Sequence, residues 1–314
     1  MTPPARIDVH QHVVPPVWAR TLAERGLDSG GWAIPEWSPE SALAMMDRQG
    51  IAAGVLSVTA PGVHLGEDAR ARELARAVNE YGAETVKDRP GRFGHFASVP
   101  LPDVDAAVAE AVYALDELGA DGVVLMSNAR GRYLGDPAFA PLWAELDRRA
   151  ANVFVHPAQP PMDLLPGTPA PLADYVFDTT RSALNMALNG VLSRHPRVRV
   201  ILSHGGGFLP YAAYRFAGLT SFAVDPERTP DDVLDELRRF YFDTALSASP
   251  SALPSLLAFA APGHVLYGSD WPFAPEEAGS YYNQYLEGYE GFAPGQAEAV
   301  DRTNAEALFP RLAR

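Results

Sequence analysis

Short runs of β-branched and aromatic residues alternate with longer segments rich in Ala, Leu, Glu and Arg along the whole chain. The apolar runs are RIDVH (6–10), IAAGVLSV (51–58), RFGHFASV (92–99), DGVVLMS (121–127), NVFVH (152–156), RVRVILSH (197–204), FYFDTAL (240–246) and HVLYGSD (264–270). Each has the length and composition of a buried strand. Helical patterns fill the gaps. In SPESALAMMDRQG, Ser38 reads as an N-cap and Gly50 as a stop, and DVDAAVAEAVYALDELG ends at Gly119. Strand–helix alternation predicts a parallel α/β sheet. Eight such units favour closure into a TIM (β/α)8 barrel over an open doubly wound sheet, which needs no particular strand count. No repeat, linker, phosphate loop or lone G-x-G-x-x-G interrupts the pattern, so residues 1–314 read as a single domain.

Composition narrows the chemistry. A formal net charge of -14 and a pI near 5.0 argue against nucleic acid or an acidic membrane surface as partner, which leaves small molecules. There is no Cys, so any metal must bind through nitrogen and oxygen, and a thiol nucleophile is excluded. The start, MTPPARIDVHQH, has no apolar signal core, and no later run is long enough to span a bilayer. A cytoplasmic location is the resulting expectation.

In barrels of this kind, side chains at the C-terminal ends of the strands converge on the mouth. Strand one ends in His10 and His12, two apart and hence on one face of an extended chain, with Gln11 pointing away. Strand five ends in His156, strand six in His204 ahead of three glycines, and strand eight in Asp270. Each has a plain structural alternative: a core histidine for the H-x-H pair, a turn residue at His156 before Pro157, a strand exit at His204, a helix cap at Asp270. Together they place five nitrogen and oxygen donors at one topological position. Imidazoles with one carboxylate suit Zn2+, the expected ion, and also Mn2+.

The motifs IDVHQHVVP, VHP, SHGGG and GSDWPF, in this order over the entire chain, resemble those of the amidohydrolase-related metal enzymes of the aminocarboxymuconate semialdehyde decarboxylase type. GWAIPEWSPESALAMMDRQGI, YLGDPAFAPLW and FDTTRSALNMALNGVL are most similar to its 6-methylsalicylate decarboxylase branch. The resemblance implies a distorted amidohydrolase-like barrel, one divalent metal on His10, His12, His156 and Asp270, and His204 as a catalytic histidine. It also implies that Arg215 crosses a two-fold interface to hold substrate carboxylate in a partner's site, which makes the expected assembly a homodimer or higher homo-oligomer; a surface arginine is the alternative. The chain departs from the aminocarboxymuconate enzymes where they carry a second carboxylate-binding arginine, having GGWAIP there. A monocarboxylate in an aromatic pocket near Trp32 and Trp37 fits better than a dicarboxylate. Two-metal relatives use a carboxylated lysine on a strand, whereas the single lysine here, Lys87, falls at a helix end.

Arg181 is a candidate second anion contact or a helix-surface salt bridge, and Asn128 lines the mouth or caps a turn. His64 is expected to be solvated in its polar loop, His95 to lie within strand three, and His195 and His264 to sit at strand entrances. The expected activity is non-oxidative decarboxylation of a small ortho-hydroxyaryl carboxylic acid that chelates the metal, with Asp270 protonating the ring and His204 tuning it. The alternative is hydrolysis of an amide, ester or lactone by metal-activated water.

Overall fold

The computed structural model describes residues 5–313. Eight strands run parallel and in chain order around the sheet: β1 (Arg6–His12), β2 (Ile51–Ser57), β3 (Phe93–Ser98), β4 (Gly122–Met126), β5 (Asn152–His156), β6 (Arg199–Leu202), β7 (Tyr241–Asp243) and β8 (Val265–Leu266). The ring is closed by individual main-chain bonds rather than a long ladder. Val9 N donates to Tyr267 O (3.0 Å), Asp270 N to His10 O (2.7 Å) and His12 N to Trp271 O (2.7 Å). Strand eight is therefore far shorter than the 264–270 run, and strand seven shorter than 240–246, because the chain beyond Leu266 and Asp243 leaves the sheet to build the mouth. Gly268 permits that course, since a Cβ there would stand 2.9 Å from the Cβ of His10.

The helices are α1 (Pro16–Glu24), α2 (Pro39–Gln49), α3 (Asp68–Asp88), α4 (Val104–Asp116), α5 (Ala140–Arg148), α6 (Asp174–Leu188), α7 (Val191–Arg194), α8 (Leu209–Leu219), α9 (Pro230–Leu237), α10 (Ala252–Phe259) and α11 (Glu276–Glu287). Helix α2 shows why the local pattern was readable. Ser38 and Ser41 cap each other reciprocally, Pro39 occupies the first turn, and Gly50 ends the helix at φ +68°. No helix is long and apolar enough to cross a membrane among the described residues.

Two apolar layers result. Inside the barrel, Ile7, Val9, Val55, Phe96, Val124, Phe154, Ile201 and Leu266 fill the lumen, and Leu308, Phe309 and Leu312 plug its lower end. Outside, residues of opposite strand parity, such as Val153, Val155, Leu202 and Phe242, pack on the helices. Phe96 and Phe154 stack at 5.4 Å and form the floor on which the mouth is built.

Candidate metal centre and active site

His10, His12, His156 and Asp270 bring one donor atom each to a buried cluster in which all four atoms lie within 4.8 Å of one another. Simple alternation from Ile7 and Val9, which face the lumen, would turn His10 outward. A register shift against β2 between Asp8 and Gln11 inserts one extra residue and reverses the phase, so Val9 and His10 both face inward. Asp8 takes up the main-chain N–H of His10 on Oδ1 (3.1 Å).

The hydrogen bonds behind the imidazoles decide what the cluster can hold. His12 Nδ1 lies 3.1 Å from Ser57 O and His156 Nδ1 2.8 Å from Pro157 O. A carbonyl only accepts, so both Nδ1 atoms carry hydrogen and both neutral Nε2 atoms present lone pairs. His10 Nδ1 faces Asp243 Oδ2 at 2.7 Å, which leaves its Nε2 3.1 Å from that of His12 and 3.2 Å from Asp270 Oδ1. His12 Nε2 is 2.9 Å from the same oxygen. Three imidazole lone pairs and a carboxylate aimed at one point repel each other unless a cation stands among them. The residues therefore fit a single divalent metal.

The titration behaviour agrees. Burial opposes charge on His10, but Asp243 and Asp270 outweigh it and push its pKa up to about 10. Burial lowers His12, and burial with the neighbouring histidines holds His156 well below the usual range. Burial alone would raise Asp270, yet His10, His12 and His204 keep it well below an ordinary carboxylate. Without metal, a proton shared by His10 and Asp270 supplies the positive charge, so metal binding must displace it.

Two aspartates that the motifs did not single out fix this geometry. Asp243, fully buried at the end of β7, accepts from His10 with one oxygen, and with the other from the main-chain N–H groups of His204 (2.9 Å) and Ala245 (3.0 Å). It thus ties a metal-site imidazole to the loop that carries His204. Asp8 receives Ser269 N (3.0 Å) and Ser269 Oγ (2.6 Å), which positions the residue next to Asp270; burial pushes Asp8 itself up to about 7. The signal for both was a carboxylate set inside an apolar strand, which must have a buried purpose. His204 (φ +54°) and Asp270 (φ +63°) sit in left-handed backbone that costs a non-glycine residue about 1 kcal/mol, and both occur at the mouth.

His204 lies just past β6, with Nε2 3.3 Å from Asp270 Oδ2. The two oxygens of Asp270 therefore differ: Oδ1 faces His10 and His12, and Oδ2 faces His204. Above them opens a cavity of about 390 Å3 lined by Trp32, Tyr175, Phe208, Phe273 and Tyr282, with Ser29, Thr59 and Ser247 adding aliphatic hydroxyls to those of the two tyrosines. No Arg or Lys lines it among the described residues.

Of the expected substrate contacts, Trp32 reaches this cavity and four residues do not. Trp37 packs against Tyr81 of α3, with ring centroids 6.2 Å apart, because the chain just ahead of the Ser38 cap of α2 lies on the outer layer. Asn128 spends its amide on Asp178 Oδ2 (2.8 Å), Gln159 O (3.0 Å) and Gly131 N (2.9 Å), so it is a turn residue beside a smaller recess. Arg181 is exposed on α6 near Met162 and the Tyr133 ring. Arg215 is exposed on α8, away from the cavity of its own chain. His64 is not solvated: it bonds Asp68 at 2.8 Å and its side chain is only 8% exposed. His95 lies in β3 as expected and is buried.

The chain belongs to the amidohydrolase family, whose model, described as Amidohydrolase, matches residues 7–311. Its similar proteins include decarboxylases. The chain is 42% identical over 323 residues to decarboxylase yanB of Aspergillus niger, a match covering 98% of this chain and 88% of that protein. It is 42% identical over 318 residues to 6-methylsalicylic acid decarboxylase of Penicillium expansum, covering 98% and 97%. The crystal structure of 2,6-dihydroxybenzoate decarboxylase complexed with 2,6-dihydroxybenzoate matches with a TM-score of 0.78 at 26% identity, over 99% of this chain and 100% of that one.

Proposed function

We propose that the substrate of this metal-dependent, non-oxidative decarboxylase is an ortho-hydroxyaryl monocarboxylic acid of the 6-methylsalicylate type. One observation carries the reading: a cation-ready cluster of three imidazoles and a carboxylate forms the base of an aromatic cavity that has no arginine or lysine of its own. Within one chain a substrate carboxylate finds no cationic side chain and has the metal alone to bind, and the ring meets aromatic walls. The acids acted on by the relatives, 6-methylsalicylic and 2,6-dihydroxybenzoic acid, have this form.

His10, His12 and His156 through Nε2 and Asp270 through Oδ1 are the residues that would hold a single divalent ion, zinc or manganese by the chemistry of the donors. When bound, the ion would supply the positive charge that orients a phenolic oxygen and carboxylate and stabilises negative charge developing on oxygen. A proton taken up from solvent and held between His204 Nε2 and Asp270 Oδ2 passes through Asp270 to the ring carbon bearing the carboxylate. The C–C bond breaks, CO2 leaves, and the bonding pair restores the aromatic ring. One proton is taken up per turnover and no electron is exchanged. His204 Nε2 sets the proton affinity of that oxygen. Trp32, Tyr175, Phe208 and Phe273 hold the ring and exclude water.

The whole chain acts as one catalytic domain, in the cytoplasm, as a homodimer. Support for the dimer is the outer face of α8 and the turn after it, where Arg215 lies among Tyr211 (85% exposed), Tyr214 and Phe222; such a face on a free chain is uncommon. Arg215 then reaches the neighbouring site. The test is incubation of metal-loaded protein with carboxyl-labelled 6-methylsalicylate. The expected products are labelled CO2 and 3-methylphenol, with no solvent oxygen in the phenol. Release of no CO2, or solvent oxygen in the product, rejects the reading in favour of another activity.

A further inference from the structure

A second cavity of about 370 Å3 adjoins the first. The two share His204, Gly207, Phe208 and Ser247 as a common wall. Beyond that wall the second cavity is bounded by Pro210 and Tyr211 at the start of α8 and by Ala252, Ser255 and Leu256 of α10. Its lining has no charged side chain apart from the shared histidine. Gly207, at φ +64°, contributes no Cβ to the wall, and Phe208 rests on Phe177 (4.5 Å between centroids) while remaining 39% exposed.

This recess is nearly as large as the substrate cavity and meets it at His204, the residue bonded to Asp270. An ortho-hydroxyaryl acid whose carboxylate and phenolic oxygen face the four donors keeps one further ortho position, on the other flank of the carboxylate. A methyl group there is held by the first cavity alone and makes no use of the second. We propose that the second cavity is a substituent pocket that receives an apolar chain of several carbons carried at that ortho position, so that the substrate class includes long-chain alkylsalicylates. The inference rests on the decarboxylase reading above and deepens it.

Metal-loaded full-length protein is assayed on 6-methylsalicylate and 6-pentylsalicylate, with Ala252→Phe and Ser255→Phe as variants that fill the recess. Wild-type protein is expected to decarboxylate both acids. Each variant is expected to lower kcat/KM for the pentyl acid about tenfold or more, the effect of denying burial to at least two methylenes, while the methyl acid stays within about twofold. Equilibrium binding gives a reading independent of turnover. By Trp fluorescence, 3-pentylphenol should bind wild-type protein about tenfold or more tighter than 3-methylphenol, and lose that advantage in Ala252→Phe. Turnover of the methyl acid without the pentyl acid, or equal loss on both acids in variants of unchanged Tm, overturns the substituent pocket and leaves the decarboxylase reading standing. Turnover of neither acid overturns both.

Discussion

The barrel buries charge at both of its ends, and it treats the two ends differently. At the lower end Arg6, almost wholly enclosed, donates to Asp301 (2.9 Å) and Glu287 (2.8 Å) and lies over the Tyr267 ring, while Arg311 pairs with Asp121. Both of these guanidiniums meet carboxylate supplied by the same chain. At the mouth, three imidazoles and Asp270 meet one another with no arginine or lysine among them. The lower end is electrostatically complete, as a device for stability is, whereas the mouth is complete only with a cation added. Self-sufficiency separates the structural end of the molecule from the chemical one.

The hardest test of that contrast is to strip the mouth. Chelation, or His10→Ala, His12→Ala or His156→Ala, should remove bound metal and turnover together, by about 10³-fold or more, because several kcal/mol of charge stabilisation go with the ion. Metal analysis beside the assay checks it, and an occupied, active His156→Ala protein would remove that residue from the ligand set. Next in size, His204→Ala should keep its metal yet lose about 10²- to 10⁴-fold in kcat, since the His204 ring hydrogen-bonds Asp270 Oδ2 and none of the imidazole donor atoms. Loss of metal equal to that of His10→Ala would make it a ligand instead.

The lower end holds a titratable exception to its completeness, and pH exposes it. His95 is buried between β3 and α3 with neither ring nitrogen bonded, and burial lowers its pKa to about 4. The folded chain holds it neutral while the unfolded chain protonates it near 6.5. Its contribution is thus intact above pH 6.5 and falls away toward pH 4, by about 3 kcal/mol in all. Urea midpoints from pH 7.5 to 4.5 should show that slope, and His95→Leu should reduce it by the same amount.

Two smaller effects sharpen the comparison. Asp243→Asn keeps one acceptor oxygen but sets its NH2 against either His10 Nδ1 or the His204 and Ala245 N–H groups, so metal affinity should fall about tenfold, as titration of the apoprotein will show, with a stability loss of about 1–3 kcal/mol. Asp301→Ala at the opposite end should cost about 2 kcal/mol of stability by leaving Arg6 half-paired, with kcat/KM of the folded protein within about twofold of wild type. A matching loss of activity would mean that the two ends are coupled.

What was legible in the sequence follows from the same division. The eight apolar runs and the helix caps at Ser38 and Gly50 were readable because alternation and capping are local. The positions of His10, His12, His156, His204 and Asp270 were readable because strand ends converge on one mouth, and the five do meet there. The supporting aspartates were not, since nothing in IDVH or FYFDTAL says that Asp8 captures the amide freed by a register shift or that Asp243 spans His10 and His204. Nor does an amphipathic pattern reveal which layer a side chain enters. Trp32 and Trp37 lie five residues apart in one tryptophan- and proline-containing segment, yet one faces the cavity and the other Tyr81.

The seam between the first and last strands also has a bearing on how the protein is made. His10 and His12 emerge at the start of synthesis, while Asp270 and the carbonyls of Tyr267 and Trp271 that dock on β1 come more than 250 residues later. Contacts so distant in sequence form slowly. Until they form, β1 has one unpaired side, and an open strand edge invites aggregation. The nascent chain therefore carries the greater part of its ligand set long before it can close around an ion. Barrel closure and maturation of the metal centre are a single late event, and a chain cut before residue 264 should be both metal-poor and prone to self-association.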